Sequence, residues 1–516
     1  MNKQPRKNTP PLRVTKEGNR LARHKYLLAI LLLGSVLLFK NLDNIYLWQD
    51  EAETALLAQN ILTYGYPRAW DGKNIISQNA ERDFNQHYVW TWSPWLQLYI
   101  TAGSFRLFGA NTLAARFPFV LIAIASLSLL YFFTVRLHGS KRVAETATLL
   151  MATSIPFLLH ARQCRWYMAA VFSTLWLLYA YLMLQKQEKR GTVHCALASL
   201  LLFFSNYLIY LSVMGGIILH YLYCRWQGCA RPSFRSILTP TAVALMAIVP
   251  WIIYSRAWDK SNPFEEYKMP LVSRVQLIFA KNILYMNSFI FPLLFAAALA
   301  WILFKRRKGD DETSRANSML ILIIIACTIA VLSAMPWMYF RYLIALVPLC
   351  CVLLALVIDR IMVFSKAVAG SVMVLLIFTN VFSLTLPPYA LRFDFLNYLY
   401  EITHDYDGPN EGIVTYLRTH GHQDQFVITN YGQLPIIFYT GMRAIGFGQN
   451  LRTSGKADWI IIRKGRGDQE YLRSLCAQYQ AITIDYPDIP WENRPDPSHH
   501  YYRTVSKAPR VVIHKK

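Results

Sequence analysis

Residues 117–160 contain two apolar runs, and their sequence is FPFVLIAIASLSLLYFFTVRLHGSKRVAETATLLMATSIPFLLH. The runs lie near 117–135 and 143–160, and a short connection with Arg136, Lys141 and Arg142 joins them. An α-helix needs about 20 mainly apolar residues to cross the hydrocarbon core of a bilayer. Basic connections between such helices stay on the cytoplasmic side. This stretch therefore predicts a pair of membrane-spanning helices with a cytoplasmic connection.

The composition of the whole chain agrees with a membrane protein. Hydrophobic residues make up 54% of the 516 residues and charged residues only 16%, whereas soluble domains carry about 25% charged residues. The net charge of +23 would suggest nucleic acid in a soluble protein, but here it reflects topology, and no nucleic-acid partner is expected. The eight cysteines suggest neither a disulfide framework nor a zinc site.

Further apolar runs extend along the chain on both sides of this stretch. They lie near 26–48, 167–184, 193–208, 209–223, 236–254, 283–304, 318–335, 340–358 and 367–386. Basic residues cluster in every second connection, namely at Lys186, Lys189 and Arg190, at Arg225, Arg231 and Arg235, at 305–308, and at Arg360 and Lys366. About eleven spans are therefore predicted, with the basic segment 1–25 cytoplasmic and the C-terminus outside.

One segment decides this orientation. Residues 93–108 are fairly apolar but short, and they carry Gln97 and Arg106. A span here would place every later basic cluster outside, so we predict an amphipathic helix that lies in the membrane interface. It belongs to a long outer loop, 44–116.

The tail, 388–516, is more polar and contains no further span. Residues 411–420 have a helical pattern, and short apolar runs at 426–429, 435–439, 459–463 and 482–485 predict strands. A polytopic helical domain, 26–387, with a small extracytoplasmic α/β domain is therefore expected. The protein would lie in the cell (inner) membrane.

Acidic residues follow the first span. The sequence Trp48-Gln49-Asp50-Glu51-Ala52-Glu53 opens the outer loop, and acids at a membrane boundary are costly unless they are solvated, paired or used. One interpretation is a solvated helix start in which Asp50 caps the helix. The other makes Asp50 a general base, with Glu51 as its neighbour.

Arginines depart from the general charge bias at two other outer turns. Arg162 and Arg165 precede Tyr167 in one turn, and Arg341 precedes Tyr342 in the other. Such residues serve either as interfacial anchors or as ligands of a phosphate at headgroup level. An acid together with several arginines at the outer edge of a helix bundle favours chemistry on a lipid-linked phosphate.

These motifs, in this order, resemble a known family. Asp50-Glu51 at the loop start, 93–111, Ala115-Arg116-Phe117-Pro118, Arg165-Trp166-Tyr167 and Arg341-Tyr342-Leu343 with Pro348 are similar to the membrane glycosyltransferases of the GT-C fold. Among these, the chain most resembles the protein O-mannosyltransferases and the aminoarabinose transferase of lipid A. The resemblance covers roughly residues 26–390.

The resemblance implies a polyprenyl-phosphate sugar donor and inverting hexosyl or pentosyl transfer to a lipid or protein acceptor. The catalytic acid of the family maps onto Asp50. No cofactor is required, although a divalent cation could take part. The sequence departs from the family at the next outer turn, where Tyr167 and Ala170 occupy the place of a second acid, and at Trp92-Ser93-Pro94, which replaces a Lys-Pro-Pro-like element.

Two alternatives stay open at this stage. A transporter or flippase of lipid-linked sugars would favour broken helices and charges in the middle of the spans, and most spans lack such charges. An envelope assembly or binding protein that uses only the tail would leave the acidic outer loop without a purpose.

Overall fold

A computed structural model describes most of the chain. It covers residues 24–79, 82–229, 231–256, 269–304, 312–336, 339–383, 390–451, 456–490 and 494–516. The basic N-terminal segment therefore lies almost wholly outside the described residues, as do the middle of the predicted outer loop 255–281 and the basic connection after residue 304.

Helices dominate the described chain. In order they are α1 (Lys25–Phe39), α2 (Gln49–Tyr64), α3 (Leu96–Phe108), α4 (Thr112–His138), α5 (Lys141–Ala152), α6 (Ile155–Ala161), α7 (Tyr167–Gln185), α8 (Gly191–Ser205), α9 (Tyr207–Gln227), α10 (Phe234–Ser255), α11 (Leu271–Tyr285), α12 (Leu294–Phe304), α13 (Glu312–Ser333), α14 (Val347–Phe364), α15 (Lys366–Phe378), α16 (Asp394–Glu401), α17 (Pro409–His420), α18 (Gln433–Thr440) and α19 (Gln469–Leu475). The strands are β1 (Phe426–Thr429), β2 (Arg443–Ile445), β3 (Trp459–Ile461), β4 (Gln480–Pro487) and β5 (Arg510–Lys515).

Every predicted apolar run contains a helix, but the helices differ in length. Among the described residues, six helices are long and apolar enough to cross a membrane, and two bent pairs bring that number to eight. Three shorter apolar helices, α1, α8 and α15, account for the remaining runs. The chain is therefore a polytopic helical membrane protein, while the count of eleven spans and the orientation stay predictions.

Two of the predicted spans are broken rather than straight. The run 143–160 forms α5 and α6, which meet at an angle of 61°, and the second helix starts with Pro156 in its first turn. The run 283–304 begins inside α11, passes through a π-helical turn (Met286–Ile290) and continues in α12 after a bend of 88°. Pro292 lies at this bend, and it cannot donate a backbone hydrogen bond to continue the helix.

The first outer loop contains two helices. The segment 93–108, predicted to be an interfacial helix, is helical from Leu96, and α3 buries Leu98, Ala102 and Phe105 on one face while leaving Leu107 exposed. α2 starts at Gln49, one residue before Asp50, and no side chain caps this start within the described chain. The prediction that Asp50 caps the helix is therefore wrong.

The tail forms the expected α/β domain around a five-stranded sheet. The strand order is β2-β1-β3-β5-β4, with β1 parallel to β2 and β3, and β5 antiparallel to its neighbours. The strands predicted at 426–429, 459–463 and 482–485 are present. The strand predicted at 435–439 is wrong, because this run lies within α18, which starts after left-handed Gly432 and packs against α2.

The tail packs directly on the first outer loop. The Ala444 N–H donates to Asn74 Oδ1 at 2.9 Å, and the Leu47 N–H donates to the Tyr439 hydroxyl at 2.8 Å. A Cβ at Gly448 would lie 2.1 Å from the Gln78 carbonyl oxygen, so the two backbones approach more closely than any side chain allows. This packing holds the tail against α2 and the acids at its start.

Candidate active site

Asp50, the predicted catalytic acid, lies where the turn with Arg165 and the turn with Arg341 meet. Its side chain is 15% exposed, and Oδ2 accepts a hydrogen bond from Arg341 Nη1 at 2.7 Å. The Nη2 atom of Arg165 lies 3.8 Å from the same oxygen. Three segments far apart in the sequence therefore meet at one carboxylate.

Arg165 is held closely against α2. Its Nη1 donates to the Asp50 carbonyl at 2.8 Å, to Glu53 Oε1 at 3.1 Å and to Thr54 Oγ1 at 3.0 Å. Its side chain is only 9% exposed. Arg165 therefore fixes the first turn of α2 and has little surface left for a ligand.

Arg341 is the more accessible of the two arginines. It lies on a 3₁₀-helical segment (Phe340–Leu346) that leads into α14, and its side chain is 24% exposed. Its guanidinium carbon lies 4.4 Å from the ring centroid of Tyr339 and 5.8 Å from that of Tyr342. This flanking by aromatic rings leaves part of the cation facing the open side of the site.

The predicted tyrosines form an aromatic wall beside these groups. Trp166 stacks on Tyr342 with ring centroids 5.6 Å apart and packs edge-on against Tyr167 at 4.7 Å. Tyr167 is completely buried. Tyr342 is therefore the better placed of the two to meet a ligand, and Tyr167 supports the wall from behind.

Glu51 points away from this centre. Arg116 binds its carboxylate through two parallel contacts, Nε to Oε1 at 2.9 Å and Nη2 to Oε2 at 2.7 Å. The Cys164 N–H also donates to Oε1 at 2.9 Å, and Glu51 is fully buried. The carboxylate predicted as a second catalytic group thus joins α2 to α4 and to the turn after α6.

Arg162 has a similar structural position. Its guanidinium donates to the carbonyls of Leu38, Lys40 and Asn41 at 3.0, 2.7 and 2.6 Å. These carbonyls lie at and just after the C-terminal end of α1, where backbone acceptors lack helical partners. The predicted substrate contact of Arg162 is therefore replaced by contacts that hold α1 in place.

Glu53 is a site residue that the sequence analysis did not select. It lies three residues after Asp50, so both side chains project from nearly the same face of α2. Gln78 links them, since its Nε2 donates to Glu53 Oε2 at 2.6 Å and lies 3.5 Å from Asp50 Oδ1. The i,i+3 spacing of the two acids was the available sequence signal, whereas Gln78 carried none.

The two acids have different protonation behaviour. Burial favours the neutral form of Asp50, but the positive charges of Arg165, Arg341 and Arg494 outweigh it and lower the pKa of this carboxyl below its usual value. Burial, together with the negative charges of Asp50 and Asp83, raises the pKa of Glu53 to about 7 although Arg165 opposes the shift. Asp50 is therefore ionised at neutral pH, and Glu53 changes its charge there.

The described residues contain no group of three or more His, Cys, Asp or Glu side chains arranged to hold a metal ion. The carboxylates of Asp50 and Glu53 are engaged by arginines instead.

Comparison with known proteins identifies the fold. The chain superposes on the crystal structure of ArnT from Cupriavidus metallidurans in the apo state with a TM-score of 0.59 and 14% identity, covering 96% of this chain and 98% of that one. The structure of ArnT bound to undecaprenyl phosphate gives a TM-score of 0.56 and 12% identity, covering 95% and 98%. The architecture is thus the GT-C fold of membrane glycosyltransferases, as the resemblance implied.

A sequence comparison adds a shorter match. Residues 282–406 match the model of the Alg9-like mannosyltransferase family, a stretch that includes Arg341 and Tyr342. Comparison with curated protein sequences found no match.

Proposed function

We propose that this chain is a glycosyltransferase that moves a sugar from a polyprenyl-phosphate donor to an acceptor at the outer face of the membrane, with inversion. The observation that carries the proposal is the placement of Asp50. It is an ionised carboxylate in a partly open site, with a partly exposed arginine 2.7 Å away. A base and an anion-binding cation side by side are what such a transfer requires.

The GT-C fold supports the choice of donor. The ArnT structure with this fold holds undecaprenyl phosphate, a polyprenyl phosphate without its sugar. In this chain, Arg341 is the cation best placed to hold such a phosphate, because 24% of its side chain is exposed. A guanidinium binds phosphate through paired N–H groups, and Tyr342 lies beside it.

The reaction then needs a single displacement. The hydroxyl of the acceptor gives its proton to Asp50 while its oxygen attacks the anomeric carbon of the sugar. The bond between that carbon and the phosphate oxygen breaks, and the phosphate leaves with the electron pair. Oδ1 is the oxygen suited to accept the proton, because Oδ2 is engaged by Arg341 and Oδ1 has only the longer contact with Gln78.

The electrostatics suggest how the donor activates the base. Without a ligand, the charge of Arg341 contributes to lowering the pKa of Asp50, which makes the carboxylate a weak base. A bound phosphate would neutralise that charge, and the pKa of Asp50 would rise toward the range in which proton abstraction is efficient. The base would thus become stronger only when the donor is present.

A direct assay tests the proposal. Purified protein is incubated with radiolabelled polyprenyl-phosphate sugars, hexoses and pentoses, and with an envelope extract as the acceptor. We expect label to move into an acceptor fraction with inverted anomeric configuration, and heat-treated protein is the control. Absence of transfer from all donors that bind would contradict the proposal.

One observation favours a flippase of lipid-linked sugars instead. The two bent helix pairs line one cavity of about 110 Å³ together with Arg392 and Asp394, and broken helices around a polar cavity are typical of transporters. Liposomes containing the protein and a fluorescent lipid-linked sugar would distinguish the two activities. Rapid equilibration of the lipid between leaflets without transfer would support the flippase.

A further inference from the structure

A polar cavity lies where the chain leaves the helix bundle for the tail. It has a volume of about 110 Å³ and is lined by residues from the bends of both broken helix pairs, from the end of α15 and from the start of α16. Its polar lining includes Ser154, Asn287 and Ser383, and its two charged residues are Arg392 and Asp394. Neither charged residue has a part in the transfer proposed for Asp50.

The two ends of the connection between α15 and α16 are held together beside this cavity. The Arg392 N–H donates to Asn380 Oδ1 at 2.8 Å, and Asn380 Nδ2 donates to the Ala390 carbonyl at 3.1 Å. Arg392 Nη2 donates to the Ser288 carbonyl at 3.1 Å, and the guanidinium carbon lies 4.4 Å from the ring centroid of Phe289. The arginine therefore has a defined position against the bend between α11 and α12.

Arg392 and Asp394 use only part of their capacity to form hydrogen bonds. The Nε atom of Arg392 lies 3.4 Å from Asp394 Oδ2, whereas charge-assisted hydrogen bonds measure about 2.7–2.9 Å. Nε is buried and has no hydrogen-bond partner among the described residues. In the same part of the chain, the Asp394 carboxylate accepts no hydrogen bond. Because buried polar groups in proteins nearly always have a partner, this pair is suited to a ligand that completes it.

The ligand that completes the pair must carry both charges. The side chain of Asp394 is 21% exposed, and burial raises its pKa although the positive charges of Arg392 and His500 oppose the shift. A further cation beside the carboxylate would stabilise its charged form. The side chain of Arg392 is 34% exposed, and a guanidinium binds the oxygens of a phosphate through its N–H groups. A zwitterion with a phosphate and an ammonium group meets both needs.

We propose that this cavity binds the headgroup of a phosphatidylethanolamine molecule, with the phosphodiester on Arg392 and the primary ammonium on Asp394. An ethylene linker joins the two charges of this headgroup, so they can reach two side chains that lie next to each other. The cavity lies where the apolar helix α15 ends, and lipid headgroups lie at the ends of apolar spans. Phe378 and Phe382 in its lining are apolar partners for the rest of the lipid.

The chemistry of the pair distinguishes this headgroup from two other common ones. Phosphatidylglycerol has the phosphodiester but no cation for Asp394. Phosphatidylcholine has a trimethylated ammonium that cannot donate a hydrogen bond to the carboxylate, whereas a primary ammonium has N–H donors, as that of lysine has. We therefore expect the cavity to prefer the ethanolamine lipid over the other two.

The test measures lipid binding to the full chain in detergent micelles. Dihexanoyl phosphatidylethanolamine is titrated while the melting temperature is recorded, and the dihexanoyl glycerol and choline lipids are titrated in separate experiments. Binding to the folded state raises the melting temperature in a saturable way. In the wild type, the midpoint for the ethanolamine lipid should lie about tenfold or more below the other two, because only this lipid forms a charge-assisted hydrogen bond with Asp394.

The variants assign each charge to its residue. Asp394→Asn should remove the preference, so that the midpoint of the ethanolamine lipid rises to that of the glycerol lipid. Arg392→Gln should weaken the binding of both lipids by about tenfold or more. Asp359→Asn is the matched control, because Asp359 is also an ion-paired acid, with Arg142 as its partner and 22% of its side chain exposed. The control should keep the wild-type midpoints.

Several outcomes would overturn the assignment. They are equal midpoints for the ethanolamine and glycerol lipids in the wild type, an unchanged preference in Asp394→Asn, or no saturable effect. An effect of the ethanolamine lipid that disappears in the presence of undecaprenyl phosphate would also overturn it, because the cavity would then belong to lipid-linked sugars. If Arg392→Gln does not fold, Asp394→Asn decides, since it keeps the shape of the side chain and removes only its charge.

Discussion

At the scale of single residues, ligand binding depends on which arginine can exchange its contact with a carboxylate for a contact with the ligand. Arg165 makes three hydrogen bonds to the first turns of α2, while Arg341 holds Asp50 through one. The two arginines look equivalent in the sequence, since each precedes a tyrosine or a tryptophan at an outer turn. Arg165 is the more buried of the two and has a structural role, whereas the more exposed Arg341 is available to bind a ligand.

The first prediction compares these two arginines. Arg341→Ala should fold normally and weaken undecaprenyl phosphate binding by about tenfold or more, because a charge-assisted contact typically contributes about 1.5–3 kcal/mol. Arg165→Ala should instead lower the melting temperature, because the buried Glu53 would lose its arginine partner. Arg106→Ala, at an exposed arginine of α3, serves as the control. Unchanged donor binding in Arg341→Ala would leave this residue an interfacial anchor.

The second prediction concerns the protonation of Glu53. Its pKa of about 7 in the folded protein exceeds the ordinary value, so the folded state holds the proton over a pH range in which the unfolded state has lost it. Stability from this group is therefore present at low pH and is lost as the pH rises toward 7. The melting temperature of the wild type relative to Glu53→Gln should fall between pH 5 and pH 8. A constant difference would show that Glu53 does not change its protonation in this pH range.

At the scale of secondary structure, the apolar runs of the sequence predicted most of the helices, but they did not predict the bends within two of them. The run 283–304 predicts a single span, whereas the chain bends by 88° within it. Pro292 is visible in the sequence as a helix breaker, but the contact that spans the break is not. The Asn287 side chain accepts a hydrogen bond from the Leu293 N–H at 3.1 Å.

The same limit applies to the acids of α2. Helical geometry places Glu51 about 100° from Asp50 around the axis. The sequence therefore predicts that the two side chains point in different directions. It does not reveal that Arg116, 65 residues later, faces Glu51. Asp50, Arg165 and Arg341 could be selected because each has an unusual charge for its place in the topology. Glu53 had only its i,i+3 spacing from Asp50 as a signal, and Arg494 had none, because an arginine in a polar tail is ordinary.

The third prediction tests the connection between α2 and α4. Glu51→Gln leaves the buried Arg116 without its counter-charge, and breaking such a pair typically costs about 3–5 kcal/mol. We expect a much lower melting temperature and less folded protein, with turnover per folded molecule nearly unchanged. Glu188→Gln, which breaks the more exposed pair between Glu188 and Arg136, should have little effect. Loss of turnover in fully folded Glu51→Gln would restore Glu51 as a catalytic group.

At the scale of the whole molecule, the tail packs on the first outer loop beside the candidate site. α18 packs on α2, and the backbone of Gly448 lies against Gln78, the residue that links Asp50 and Glu53. The sequence predicted the tail as a small α/β domain, although the run 435–439 is helical rather than the predicted strand. Its attachment to the first outer loop depends on single contacts that leave no pattern in the sequence.

The fourth prediction concerns orientation in the membrane. Reporter fusions after residues 140, 188, 230 and 310 should be cytoplasmic, and fusions near 75, 265 and 450 should be external, because basic connections stay inside. The fusion at 450 also tests whether the tail and the first outer loop share one side, as their packing requires. An external signal at 140 would mean that α3 is a true span.

The turnover of Asp50→Asn tests the central claim most directly. The asparagine keeps the shape of the side chain and removes its basicity, and the loss of a general base typically lowers the rate by about 10²–10⁴-fold. Transfer and undecaprenyl phosphate binding would be measured on the same folded preparation. We predict that transfer is lost by at least 10²-fold while undecaprenyl phosphate still binds. Full turnover in this variant would contradict the assignment of Asp50 as the catalytic base.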